Sequence, residues 1–147
     1  MKDYSKSVLS LCCLMSFLIV SAFSPLAARA EDEWLKHFNS GNEYSKKANF
    51  PKATEAYQKA IKVDKTKPDA HYNLGNVYVA SATGKTFQAD IERAVKEYLI
   101  AIELNPLNPD YHRNLGYAYA LNKKGDMSKR KYEELKKMSP AHAEELR

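Results

Sequence analysis

Gly41 and Gly75 stand 34 residues apart, and so do Tyr44 and Tyr78, Tyr98 and Tyr132, and Pro106 and Pro140. A second set of like residues is separated by 41: Ala53 and Ala94, Tyr57 and Tyr98, Ala60 and Ala101, Gly75 and Gly116, Tyr78 and Tyr119. Each pair in the second set straddles the segment between Tyr78 and Ala94, so one seven-residue insertion near 83–89 reconciles the two spacings. A period of this length constrains the fold more than composition does. Each period is one supersecondary unit that buries too little apolar surface alone and is stabilised by stacking on its neighbours.

The middle unit is the clearest, reading Asn73-Leu74-Gly75-x-x-Tyr78 and then Ala94, Tyr98, Ala101 and Pro106. These residues recur at helical spacing, and Gly75 removes a side chain where a second helix has to come close. The pattern predicts helices over about 33–47, 51–63, 69–82, 90–104, 109–122 and 127–138. Pro51, Pro68, Pro109 and Pro140 stand near helix starts, where the missing amide hydrogen costs nothing. Asp90 and Asn108 are read as N-caps.

A 34-residue unit with Leu-Gly-x-x-Tyr on its first helix, Ala and an aromatic on its second and Pro at its end resembles the tetratricopeptide repeat. The resemblance implies an all-α solenoid of three antiparallel helix pairs, the superhelix of that family, with a short C-terminal helix over Ala141 to Leu146. The repeats are placed at about 34–67, 68–108 with the insertion, and 109–142, within a domain spanning 31–147. Departures lie at the ends: Ser40 and Lys65 replace the family's Leu and Pro in unit one, and Ser128 and Leu135 replace two Ala in unit three. The outer face of the last unit, with Leu135 and Met138, is either a self-association surface or is covered by the short terminal helix.

Ahead of the repeats, Lys2 and Lys6 precede an apolar run from Val8 to Phe23, and Ala28-Arg29-Ala30 offers small residues around a cut. This is the layout of a secretory signal peptide, residues 1–30, with cleavage after Ala30 and a periplasmic or secreted product. The alternative is an uncleaved membrane anchor through residues 7–28. A lipoprotein signal is rejected, because Leu9-Ser10-Leu11 ahead of Cys12 lacks the small residue expected there. Cys12 and Cys13 both fall in the apolar run, so a processed protein has no thiol for disulfides, catalysis or metal. Removing residues 1–30 takes away Lys2, Lys6, Arg29 and Asp3, lowering the formal charge from +5 by two. That balance is far from the field of a nucleic-acid binder, and no nucleic-acid partner is expected.

No constellation carries chemistry, and neither a catalytic residue nor a cofactor is predicted. His37, His71 and His112 share one repeat position, but equivalent points on stacked helix pairs lie about 10 Å or more apart, too far for one zinc ion. They are read as rings filling the position between the two helices of a unit. Thr83-Gly84-Lys85-Thr86 lacks the earlier glycine of a phosphate loop, since position 79 is Val, and no strand precedes it. The cluster Lys123, Lys124, Lys129, Arg130, Lys131, Lys136 and Lys137, against Asp126, Glu133 and Glu134, reads as a solvated face.

The resemblance implies that the first helices line a concave groove whose inner residues contact a protein or peptide partner. Counted from the repeat glycine, those places hold Phe38, Asn42 and Lys46 in unit one, with Leu35 and Ser45 beside them. Unit two has Tyr72, Asn76 and Val79, with Asp69 and Ala80, and unit three has Arg113, Tyr117 and Leu121, with Asp110 and Ala120. Phe38, Tyr72 and Tyr117 form an aromatic ladder suited to an extended peptide, or they are generic repeat residues. Some family members grip a terminal carboxylate; here Asn42 and Asn73 match that set, but Phe38, Asp110 and Asn114 stand where it needs cations. Phe87 adds a contact in the insertion, which is either a contact loop or an extension of both flanking helices, Gly84 favouring a break. The function expected is that of an exported adaptor or assembly factor. Its alternatives are a membrane-anchored scaffold of an envelope complex and a non-catalytic accessory subunit of an enzyme.

Overall fold

The computed structural model describes residues 25–123 and 125–138. They form six helices: α1 (Pro25–Lys46), α2 (Phe50–Val63), α3 (Pro68–Ser81), α4 (Phe87–Leu104), α5 (Pro109–Leu121) and α6 (Gly125–Met138). A single 3-10 turn, Gly84–Thr86, precedes α4, and there is no strand among the described residues. This is an all-α solenoid in which α3 packs on α2 and α4, and α5 on α4 and α6. The apolar run Val8 to Phe23, both cysteines, Pro140 and the expected terminal helix lie outside the described residues. So do the side chains of Tyr132, Leu135 and Met138. Among the described residues no helix is long and apolar enough to cross a membrane.

Local chemistry accounts for most boundaries. Pro68 and Pro109 are the first residues of α3 and α5, and Pro51 is the second of α2. The Asn49 side chain accepts from the Lys52 amide and Asn108 from the Asp110 amide, satisfying donors that a helix start leaves open. Two boundaries differ from expectation. α1 begins at Pro25 rather than near 33, because Leu26 to Asp32 contains good helix formers and no breaker behind a proline start.

Asp90 is not the N-cap of α4. That helix starts at Phe87, and Asp90 sits buried in its first turn, 3.0 Å from the Arg93 guanidinium. The insertion combines both sequence readings, since the chain breaks after α3 and α4 then begins about one turn early. Gly84 has φ +52° with nothing near the place of a Cβ, and the Thr86 amide and hydroxyl both bond the Thr83 carbonyl.

The core lies between the helices of each pair. A Cβ on Gly41 would meet Tyr57 ring carbons at 2.5 and 2.6 Å, and one on Gly75 would meet those of Tyr98 at 2.6 and 2.8 Å. Each glycine is thus the floor of a slot filled by a tyrosine ring, flanked by Ala53 and Ala60, or Ala94 and Ala101, all fully buried. The third member of the series, Gly116 with Tyr132, involves a side chain outside those described. His71 and His112 are both buried. His71 Nδ1 lies 2.7 Å from Glu97, and His112 Nε2 lies 2.9 Å from the Pro106 carbonyl. His37 is half-buried, with its Nε2 4.0 Å from Glu33. Trp34, buried, stacks on Phe38 at 4.6 Å and carries the Lys67 ammonium 4.4 Å above its ring.

Candidate partner-binding face

The first helices α1, α3 and α5 carry a polar lattice that crosses from one helix pair to the next. The Tyr57 hydroxyl donates to Asn42 Oδ1 at 2.7 Å, and Asn73 Nδ2 reaches the same oxygen at 3.0 Å. The motif recurs one unit on: Tyr98 donates to Asn76 Oδ1 at 2.8 Å, and Asn114 Nδ2 reaches it at 2.8 Å. In each case the glycine's successor on the first helix accepts from the slot tyrosine of its own pair and from an asparagine of the following pair. Asn114 Nδ2 also donates to the Tyr72 hydroxyl at 3.0 Å, and Tyr111 donates to Asp69 at 3.0 Å.

Burial raises all three phenol pKa values. That of Tyr57 goes from 10.0 to about 12. Tyr98 is shifted upward by burial and by the neighbouring Tyr72. Tyr111 is shifted upward by burial and by the acceptor Asp69. A phenolate in any of these slots loses its hydration shell, so the neutral donor form is favoured.

The residues predicted to line the groove divide between lattice, core and surface. Asn42 and Asn76 are lattice centres. Tyr72 is half-buried, its ring 4.8 Å from Tyr111 and 6.0 Å from Tyr98. Phe38 is half-buried between Trp34 and Tyr57. Val79, Leu121 and Phe87 pack against the cluster of Ile91, Ala94, Leu115 and Ala118. Tyr117, at 52%, is the exposed ring of the three in the expected ladder. Lys46 is exposed and 3.5 Å from Glu43, and Arg113 is 3.0 Å from Asp110 with its Nε 3.4 Å from Asn114 Oδ1.

Sequence reasoning does not assign Tyr57, Tyr98 and Tyr111 to the partner-binding face, and Asn73 and Asn114 enter it only through the carboxylate set. A usable signal was present. Tyr57 to Asn73 and Tyr98 to Asn114 are both 16 residues, and both tyrosines follow an asparagine placed after a repeat glycine.

The lattice locks the amide orientation of Asn42 and Asn76. Both oxygens are used twice, which turns each Nδ2 away from them as a donor. At the far end the expected carboxylate set is altered in kind: Asn114 is committed to Tyr72 and Asn76, and Asp110 faces Arg113. The face therefore offers amide donors and one exposed aromatic ring rather than a concentrated positive charge.

A helical array of this kind defines a repeat protein, and the comparisons give its family. The family model described as TPR repeat matches residues 41–81 and 88–123, a little over half of the chain. The chain belongs to the tetratricopeptide repeat family. No curated protein sequence matches it significantly. Among solved structures it is similar to the first TPR of Spaghetti (RPAP3) bound to the HSP90 peptide SRMEEVD. There the identity is 22% and the TM-score 0.69, over 78% of this chain and 88% of that one. It is similar to the Arabidopsis OM64 TPR domain, 14% identical with TM-score 0.69, over 80% and 93%. It also resembles the second TPR domain of human RPAP3 in complex with the HSP70 peptide SGPTIEEVD, 20% identical with TM-score 0.70, over 80% and 93%.

Proposed function

We propose that this chain is an exported adaptor or assembly factor of three tetratricopeptide repeats, holding an extended segment of a partner protein against the inner side of α1, α3 and α5. The observation that carries the reading is the pair of locked amides at Asn42 and Asn76. Each presents N–H donors at a half-buried place, and peptide carbonyls are acceptors of the matching kind. The similar structures of RPAP3 hold peptides ending in Glu-Glu-Val-Asp. Here the partner is taken by its backbone and by an apolar or aromatic side chain over Tyr117, because Asp110 opposes a carboxylate terminus.

The test is affinity capture from the native envelope with the wild type and with Tyr117→Ala, an exposed position whose loss leaves the core intact. Capture should fall with Tyr117→Ala and return with Tyr117→Phe. Undiminished capture by the alanine variant refutes the reading.

A second reading keeps residues 7–28 as an anchor, with the same face scaffolding an envelope complex. It is favoured by α1 running without a break from Pro25 through Ala28-Arg29-Ala30 to Lys46, so that a cut after Ala30 falls within a helix. Mass spectrometry of the N-terminus separates the two: Glu31 as first residue supports release, and an intact Met1 supports anchoring.

A further inference from the structure

Aligning the second helices by their slot tyrosines isolates a feature of α4. Following Tyr57, α2 carries Gln58 and Lys59; following Tyr132, α6 carries Glu133 and Glu134. Following Tyr98, α4 carries Leu99 and Ile100, which are 42% and 36% exposed. Large apolar side chains thus stand at solvent-facing places that both other units fill with polar ones.

The charges around them are arranged symmetrically. Lys96 and Glu103 are both exposed and seven residues apart, two turns along one face, with Leu99 and Ile100 on either side of the line joining them. Neither charge makes an ion pair within the described residues. Let a second α4 lie antiparallel across this face, with the two-fold axis passing level with the midpoint between Leu99 and Ile100. Residues equally far from that midpoint then come opposite, so Lys96 meets the partner copy's glutamate at 103, and Glu103 meets its lysine at 96. Leu99 and Ile100, each half a residue from that level, cluster with the same two residues of the partner copy. A face that is its own complement under a two-fold is the requirement of an isologous interface.

The other second helices do not combine the two features. The corresponding pair on α6 is Arg130 and Lys137, two like charges, and on α2 the pair Glu55 and Lys62 is of opposite sign but brackets the polar Gln58 and Lys59, with Glu55 already held by Lys59 at 2.7 Å.

We propose that the outer face of α4 is a homodimer interface in which two copies pack antiparallel, sealed by Leu99 and Ile100 and registered by reciprocal Lys96–Glu103 pairs. It is a surface separate from the residues expected to line the groove, and at Leu99 it adjoins Tyr119, Met127, Arg130 and Glu134 of the last repeat.

Sedimentation equilibrium of the full chain over a range of concentrations tests this. The wild type should show a monomer–dimer equilibrium, and K96E and E103K should each weaken it about tenfold or more, because both contacts become repulsive. An equimolar mixture of the two variants should dimerise again, since every cross-pair is then of opposite sign. The variant L99Q/I100K, carrying the residues of α2, should be monomeric with unchanged helical circular dichroism. A wild type that stays monomeric throughout overturns the proposal. So does dimerisation indifferent to single charge reversal, or a mixture that fails to associate.

Discussion

Replacing Gly75 by Ala tests how the helix pairs close. Taken alone, alanine in a helix interior is favoured over glycine by about 1 kcal/mol. Here the added methyl would lie 2.6, 2.8 and 3.1 Å from carbons of the Tyr98 ring, which is itself buried and held at its hydroxyl by Asn76. Carbon atoms rest at about 3.5–4.0 Å, so the ring must retreat by about 1 Å. The ring is packed in the buried cluster of Ile91, Ala94 and Leu115 and lies 6.0 Å from that of Tyr72, so its retreat disturbs the core. Overpacking of this kind costs about 1–3 kcal/mol, and lengthening the Tyr98–Asn76 bond costs about 1 more.

Against the propensity gain, the net expectation is a loss of about 1–3 kcal/mol. Urea unfolding followed by far-ultraviolet circular dichroism measures it. The same substitution in a Tyr98→Leu background, where the ring is gone, should cost nothing or stabilise. A Gly75→Ala protein as stable as the wild type, or more so, refutes the slot. So does an equal penalty in both backgrounds.

Two further outcomes follow from the lattice and the caps. The phenols of Tyr57, Tyr98 and Tyr111 are neutral in folded and unfolded chains below about pH 10, and the unfolded chain ionises first above it. Stability is therefore fully present below the unfolded value of 10.0 and is lost as pH rises through the folded value, about 12 for Tyr57, at about 1.4 kcal/mol per pH unit for each tyrosine. Urea midpoints between those pH values should fall steeply, and Tyr57→Phe should flatten the slope. At the start of α5, Asn108→Ala should cost about 1 kcal/mol and Asn108→Gly only a few tenths, read from the same unfolding curves.

The period was legible because glycine and tyrosine do paired work. Gly41 with Tyr57 and Gly75 with Tyr98 are the slot and the ring that fills it, and their spacing survives in the chain whatever surrounds them. Helix starts at Pro51, Pro68 and Pro109 were legible for a local reason, the fixed φ of proline. The early start of α4 was not. Asp90 looks like a cap because aspartate often is one, and only the turn at Gly84, with Phe87 drawn into the core, moves the start upstream.

The face was half legible. Helical periodicity assigns Phe38 and Tyr72 to the inner side and places Trp34 one turn before Phe38 on the same helix, but it does not give the packing of Tyr111 on Tyr72, because those rings come from different helices. The asparagine lattice depends on side chains converging from two helix pairs. One sequence offers such convergence only as a spacing repeated twice.

The lattice also has an end written into it. Where Asn42 and Asn76 stand, the next unit has Tyr117, whose phenol cannot offer an amide carbonyl to a following asparagine. Appending a further unit copied from the one around Gly75 would therefore leave its inward amide without the acceptor it finds elsewhere. Changing position 117 to asparagine is the first edit for anyone lengthening this array.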